Sequence, residues 1–427
     1  MNQSLFIQYV EKWFHKISQR ISETINGKKE APKYLHEEML TEEYSADLTW
    51  DSSSVDSSIV AADVVAMDSQ LPLKARDSVS TAHGKIPKIG MKMHKGEKLI
   101  TDMQIMSARG AKEAEVVAKL FADAPRCAKG VKERVEIMFQ QGLSTGMTLV
   151  PDEENVGTAV RVDFGFLDKN KYGATIPWGK PGYTPITDIA NVLSNADDTI
   201  TVLMCRKSTY NLIRKSEEGK MLSANYRGLV ITDNAKLPVP TPSQFDEAMA
   251  DEHKVSFKVI DRVFKVEKNG KRTKVQPFDE NAVVFLPSLD VGRLVYGTLA
   301  EETNNVAGVA YEKVGSYILL SKYSKNDPLR EFTSAQALVL PVIDNVDSIY
   351  LLNHQEGQEV ADDETEGDTT VTIYGKQLTK ADVIAAVKSL GVKCAANISD
   401  AKLIEKINEL NDEDEAKLKE ILNIATE

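Results

Sequence analysis

The chain has 427 residues, 42% of them hydrophobic and 27% charged, with a formal net charge of −12. That length accommodates two or three domains at the usual size of about 150 residues each. No run approaches the ~18 apolar residues of a membrane span, and the acidic balance argues against a dedicated nucleic-acid reader, whose affinity comes from basic side chains that neutralise phosphates.

Residues 5 to 25 place Phe6, Val10, Trp13, Phe14, Ile17, Ile21 and Ile25 at helical spacing, with Lys12, Lys16 and Arg20 on the flanks and Gly27 at the end. Glu11 and Glu23 dilute the basic face, which favours a helix packed on its own protein or a sister subunit over one lying on a membrane. The rest of residues 1–70 reads as an extended polar arm, including the low-complexity run at 51–58. Residues 71–105 read as a long irregular hairpin, an extended loop punctuated by Pro72 and Pro87. Over 71–98 there are seven bases, Lys74, Arg76, Lys85, Lys88, Lys92, Lys95 and Lys98, against Asp77 and Glu97. A protruding basic hairpin cannot bury itself, so these seven are candidate inter-subunit contacts, set against the plainer reading of a solvated loop.

Two helices follow at about 107–124 and 125–141, the second opened by Pro125, closed by Gly142 and striped by Val131, Val135, Met138 and Phe139. Strands at 147–151 and 157–166 flank the turn Asp152-Glu153-Glu154-Asn155. Ile176-Pro177-Trp178-Gly179 and Thr184-Pro185-Ile186-Thr187-Asp188-Ile189 lead into a helix to about 196. A buried strand at 199–205, a helix over 208–219 capped by Ser208, a helix near 241–251, strands at 227–232, 255–266 and 282–287, and the turn Asn269-Gly270 complete a mixed middle region. Asn326-Asp327-Pro328 initiates a turn, after which 337–343 reads as a strand covered on both faces and 346–352 as another. Residues 354–378 read as an acidic linker, with seven acids and no base over 356–368. Residues 379–427 form a small all-α module, opened by the capping box Thr379-Lys380-Ala381-Asp382 and continued by a second helix from Ser399.

Gly142-Leu143-Ser144-Thr145-Gly146 matches the G-x-S-x-G pattern of a serine hydrolase, but that mechanism needs a strand before the turn and a helix after it. Here the order is helix then strand, and the glycines are read as helix terminators. Residues 362–367 resemble the start of a calcium loop, yet Ile373 stands where the bidentate carboxylate belongs. The six histidines are dispersed, and Cys127, Cys205 and Cys394 have neither paired nor zinc-type spacing. No catalytic group, metal site or cofactor is expected. The N-terminus lacks the apolar core of a secretory signal, so export is not expected either.

Four motifs occur in one order: 157–165 with Asp163, Phe164 and Gly165; Trp178 followed by Pro185 and Asp188; 279–287; and Asp327-Pro328-Leu329-Arg330-Glu331-Phe332-Thr333. Together they resemble the major capsid proteins of tailed phages, of HK97-like fold and lambda-type capsid protein E family, over about residues 70–353. The resemblance implies an α+β fold with an N-arm, the extended loop at 71–105 and a peripheral domain at 106–185 whose spine helix is 125–141. It places an axial domain at 186–320 and a return to the peripheral domain at 321–353. It also implies a structural protein without enzymatic activity, self-assembling as hexamers and pentamers into an icosahedral head shell. That shell would be put together in the host cytoplasm and, in the virion, enclose double-stranded DNA without sequence-specific binding and without a membrane. Portal, scaffolding and decoration proteins are the implied partners. An encapsulin-like compartment is the alternative, and a hydrolase built on Ser144 the third reading. The C-terminal module resembles a helix-extension-helix domain of the LEM and SAP type. With ten acids against seven bases over 379–427, a protein contact is preferred there over DNA.

Overall fold

The computed structural model describes residues 3–25, 34–54, 80–150, 160–229, 237–268 and 270–357, then 370–373, 376–379 and the helical positions Val383, Ala386, Val387, Ile407, Leu418 and Ile421. Two compact units divide the chain, Met1–Gly357 and Gln358–Glu427.

The first unit opens with α1 (Ile7–Ile25), whose stripe of Phe6, Val10, Phe14 and Ile21 is buried while Lys12 and Lys16 face outward. The stripe packs on its own chain, and burying four such side chains is worth on the order of 6–12 kcal/mol before chain entropy is charged against it. Next come α2 (Leu35–Met39) and β1 (Leu40–Tyr44). Residues 34–44 are therefore built into the fold and are not part of an arm. The strands β2 (Thr49–Ser54) and β3 (Ser80–Lys85) pair antiparallel from Thr49↔Lys85 to Ser54↔Ser80, in a ladder with no third strand among the described residues. Residues 80–85 thus pair back with 49–54 rather than within 71–105, and Ile86 and Pro87 lead the chain into β4 (Lys88–Gly96), which joins the sheet of β16 (Arg330–Ile343).

The expected helix at 107–124 is instead two, α3 (Glu97–Ala108) and α4 (Glu113–Leu120), parted at Gly110, whose φ of +74° no helix interior accepts. The spine, α5 (Ala124–Thr145), runs past Gly142 to a left-handed cap at Gly146. Gly142 serves packing, since a Cβ there would lie 2.7 Å from the Phe164 ring. The chain continues through β5 (Met147–Val150), β6 (Val160–Asp163), β7 (Lys171–Ala174), α6 (Pro185–Asn195) and β8 (Val202–Arg206). The helix expected over 208–219 is broken into α7 (Lys207–Lys215) and α8 (Glu217–Tyr226) by Ser216, whose hydroxyl caps Gly219 N at 2.9 Å. Arg227 to Leu229 leave α8 in a turn rather than the expected strand, and 230–236 lie outside the described residues. Then come α9 (Pro242–Glu252), β9 (Ser256–Ile260), β10 (Phe264–Lys268), β11 (Lys271–Val275) and β12 (Ala282–Leu286). The unit closes with β13 (Gly292–Gly297), α10 (Ala300–Thr303), β14 (Ala310–Val314), β15 (Ile318–Lys325), β16 (Arg330–Ile343) and β17 (Tyr350–Gly357).

These strands form two large sheets. In the first, of order β1-β13-β16-β15-β14, the long β16 pairs with β15 along one edge and with β4 and then β13 along the other. The spine α5 packs on this sheet. In the second, of order β7-β17-β12-β8-β9, Val283 and Phe285 of β12 enter the core shared with α6, α7 and α9, while Val284 and Leu286 face the core that holds α5. Coverage on both faces explains why such strands are uninterrupted apolar runs. The sheets also move the expected boundaries. β13 and β14, read as axial, belong with β16, whereas β17, read as closing the peripheral sheet, lies in the second sheet.

In the second unit β18 (Thr370–Ile373) and β19 (Lys376–Thr379) form an antiparallel hairpin inside the stretch expected to be linker. Helical Val383, Ala386 and Val387 are buried at i, i+3, i+4 spacing, and helical Ile407 and Leu418 are buried too. Ser399 and the acidic run 358–368 lie outside the described residues.

Candidate functional site

The closing strands carry the densest chemistry. β16 alternates inward residues at Glu331, Thr333, Ala335 and Ala337, so a carboxylate is aimed at the core by strand periodicity alone. Lys322 on β15, register partner of Thr333, meets it: Lys322 Nζ lies 3.6 Å from Glu331, and both side chains are fully buried. Lys322 also donates to Thr333 Oγ1 at 3.2 Å and stands over the Phe121 ring. Glu331 accepts from the Ser4 hydroxyl and, at 3.2 Å, from Leu5 N, which seats the first turn of α1 on the pair. A second buried pair, Lys95–Asp123, adjoins it and adds no net charge, its two members acting on Lys322 in opposite senses. Burial pushes the Lys322 ammonium down to about 8, with the Glu331 charge acting in the opposite sense.

The other motif residues are likewise spent within the chain. Asp188 takes Thr175 N at 3.1 Å, Thr175 Oγ1 at 2.6 Å and the Trp178 indole at 2.8 Å, and Trp178 stacks on His354 with centroids 5.1 Å apart. These contacts tie the loop after β7 to α6 and β17. Asp163 accepts from Gly165 N at 2.9 Å. Phe164 is wedged between Gly142 of the spine and Trp50, the buried residue of β2 that roots the ladder. Arg330 is half-buried beside the exposed Asp327-Pro328 turn, and Phe332 stacks on Tyr323 at 5.3 Å on the outer face of the sheet, with His94 and Lys92 around it.

The seven candidate bases do not form one patch. Lys95 is buried against Asp123, Lys88 lies 3.7 Å from Glu301, and Lys92 stands over Phe332. All three sit on β4 inside the sheet, not on a free arm. Lys85 is exposed at the root of the ladder, Lys98 is exposed on α3, and Lys74 and Arg76 lie outside the described residues. Ser144 is buried in the last turn of α5, where its hydroxyl donates to Gln140 O and accepts from Asp279 N, each at 2.9 Å. It ties the spine to the segment that leads into β12, and the chain order around it is helix then strand. Among the described residues no group of His, Cys, Asp or Glu is arranged to hold a metal, and no helix is long and apolar enough to cross a membrane.

No protein-family model matches the chain, and no curated protein matches it in sequence. Its backbone is similar to those of solved structures. One is a putative capsid protein of a prophage from E. coli CFT073, at 12% identity and a TM-score of 0.48, covering 83% of this chain and 99% of that one. Another is the capsid of cyanophage A-1(L), at 12% identity and 0.40, covering 74% and 90%. A third is the SrpI encapsulin of Synechococcus elongatus PCC 7942, at 11% identity and 0.37, covering 81% and 98%.

Two features escape a reading of the sequence. The first is His36, whose ring Nδ1 lies 2.6 Å from Glu136 with both side chains fully buried. Leu35 N and His36 N donate to the same carboxylate at 3.1 Å, and Gln140 Nε2 at 2.8 Å. Burial opposes it, but these hydrogen bonds hold the Glu136 carboxyl below its usual range and clamp α2 to the spine. Nothing local signals a pair 100 residues apart. The second is the ribbon β10–β11, and here a signal existed: residues 254–274 hold eight bases against two acids.

Proposed function

We propose that the chain is a shell-forming subunit of HK97-like capsid fold, the major capsid protein of a tailed phage of the lambda type. The observation that carries this reading is surface that the chain builds and does not cover. The β2–β3 ladder carries one large buried side chain, Trp50, at its root, and β1 holds four successive exposed residues, 41–44, with Tyr44 53% exposed. An isolated two-stranded ladder is marginal in water, and a stable interface needs roughly 1,000 Å² or more, so such elements gain their stability from a neighbouring copy. Closed shells require heterologous contacts of this kind. The four-motif order and a spine helix laid across a long-stranded sheet add support.

On this reading the copies assemble in the host cytoplasm as hexamers and pentamers around double-stranded DNA, with portal, scaffolding and decoration proteins as partners. The second unit is a helix-extension-helix module displayed on the particle. Negative-stain microscopy and sedimentation of the purified chain test the core of it. Closed particles of uniform diameter are expected, together with loss of assembly but retention of the folded monomer when residues 55–79 are replaced by a short linker. Strictly monomeric protein at every concentration and salt would overturn it. Particles devoid of nuclease-protected DNA, from a locus without portal and terminase genes, would assign the shell to an encapsulin-like compartment instead.

A further inference from the structure

The ribbon β10–β11 stands apart from both sheets as a two-stranded ladder of its own. Its root is fixed: Phe264 is buried beneath the Arg262 guanidinium at 4.9 Å, and Arg206 donates to Gln276 O and Phe278 O just past the second strand. Beyond the root, Lys265, Lys271, Arg272 and Lys274 are all exposed. The register sets like charge against like charge, Lys265 opposite Lys274 and Lys268 opposite Lys271, an arrangement that costs stability in the isolated ribbon. Glu267 answers only Arg272, at 2.6 Å, and Lys265, Lys271 and Lys274 make no ion pair among the described residues. A single lysine suffices to blunt a strand edge, so repeated in-register cations in a chain of net charge −12 call for another account.

We propose that this ribbon is a binding site for the phosphate backbone of duplex nucleic acid, read without regard to sequence. The strand alternation distributes the cations over both faces, Lys265, Arg272 and Lys274 on one and Lys271 on the other. An acidic protein surface would cover one face and leave the other uncompensated. A duplex groove flanks an inserted two-stranded ribbon with phosphates on both sides, and the major groove has the width to admit one. The site goes beyond the shell reading and does not rest on it, because it is testable on unassembled protein.

The test is fluorescence anisotropy of a labelled duplex of roughly 30 base pairs, long enough for several groove turns, titrated with the full chain across a salt series. Replacing Lys265, Lys271, Arg272 and Lys274 together by Gln is expected to weaken binding at low salt at least about tenfold and to make the log–log salt slope shallower by about 3–4. The charge-preserving variant Lys265→Arg, Lys271→Arg, Lys274→Arg is expected to bind as the wild type does. So is a control with Lys112, Lys180, Lys215 and Lys325, four exposed lysines elsewhere, changed to Gln. Unchanged affinity and slope in the ribbon variant, or an equal loss in the control, would overturn the proposal. Polyglutamate of matched charge competing as well as unlabelled duplex would also overturn it, in favour of an acidic protein partner.

Discussion

Replacing Glu331 by Gln keeps the shape of the side chain and an acceptor for Ser4 and Leu5 N while deleting the charge that faces Lys322. At a separation of 3.6 Å and an effective dielectric of ~20 the lost attraction is about 4–5 kcal/mol. That agrees with the ~3–5 kcal/mol generally lost when one partner of a buried pair is removed. Because Lys322 titrates at about 8 and can shed its proton once Glu331 is neutral, urea unfolding of the monomer near pH 7 should register only part of this, about 1–2 kcal/mol, with more of it appearing at lower pH. Removing both charges, with Lys322→Met added to Glu331→Gln, should recover most of it, because the remaining Lys95–Asp123 pair is neutral by itself. The pH dependence follows the same logic. The folded Lys322 titrates at about 8 against 10.5 when unfolded, so between those values the unfolded chain binds the extra proton and stability rises with pH. Relative to the double variant, the wild type should gain up to about 3 kcal/mol from pH 8 to 10.5 and nothing further above it. A Glu331→Gln protein whose loss does not grow as pH falls from 8, or a double variant whose loss equals the sum of the single ones, would refute the view that the two charges are coupled.

Gly142→Ala should cost roughly 1–3 kcal/mol in the same unfolding experiment, since the new methyl meets the Phe164 ring at 2.7 Å and Thr148 Oγ1 at 3.0 Å. Asp188→Asn leaves the buried Trp178 indole or the Thr175 donors without an acceptor and should lower stability by about 1–3 kcal/mol, with a change in Trp178 fluorescence marking the site. Glu136 has a folded pKa below its ordinary 4.5, so its contribution is complete above that value and lost as pH falls through the lower one. The stability gap between wild type and Glu136→Gln should therefore be widest near neutrality and close in acid, and a gap independent of pH would count against the His36–Glu136 clamp.

What could be read from the sequence was what periodicity marks. α1, the spine stripe, β12 and the apolar half of β16 each bury residues at a regular spacing, and each lies within a few residues of its expected place. Part of the polar stretch that reads as an arm is a strand for a physical reason that sequence does not carry. β1 exposes residues 41–44 and becomes a strand only by parallel pairing with β13, some 250 residues away. The ladder was displaced because its serine-rich first strand has no apolar alternation. Gly142 and Gly146 both look like terminators in a string of letters, and only the proximity of Phe164 separates them. The charge pair was hidden because Lys and Glu are read as surface residues by default, although the alternation that turns Ala335 and Ala337 inward also turns Glu331 inward. The capsid likeness drew attention to Glu331 and its neighbours, whereas the contacts that use them came from Ser4, Lys95, Phe121 and Tyr323.

The docking of α1 has a consequence for synthesis. Its anchor, Glu331, lies 327 residues downstream of Ser4. At translation rates of about 5–20 residues per second, on the order of tens of seconds pass between the emergence of the helix and that of its seat. Throughout that interval Phe6, Val10, Phe14 and Ile21 have no final place to go, so a helix made well before the closing strands can dock only after them. The nascent chain offers an apolar, basic-flanked helix as a handle for chaperones, and the same burial that hides it afterwards signals that the closing strands have formed.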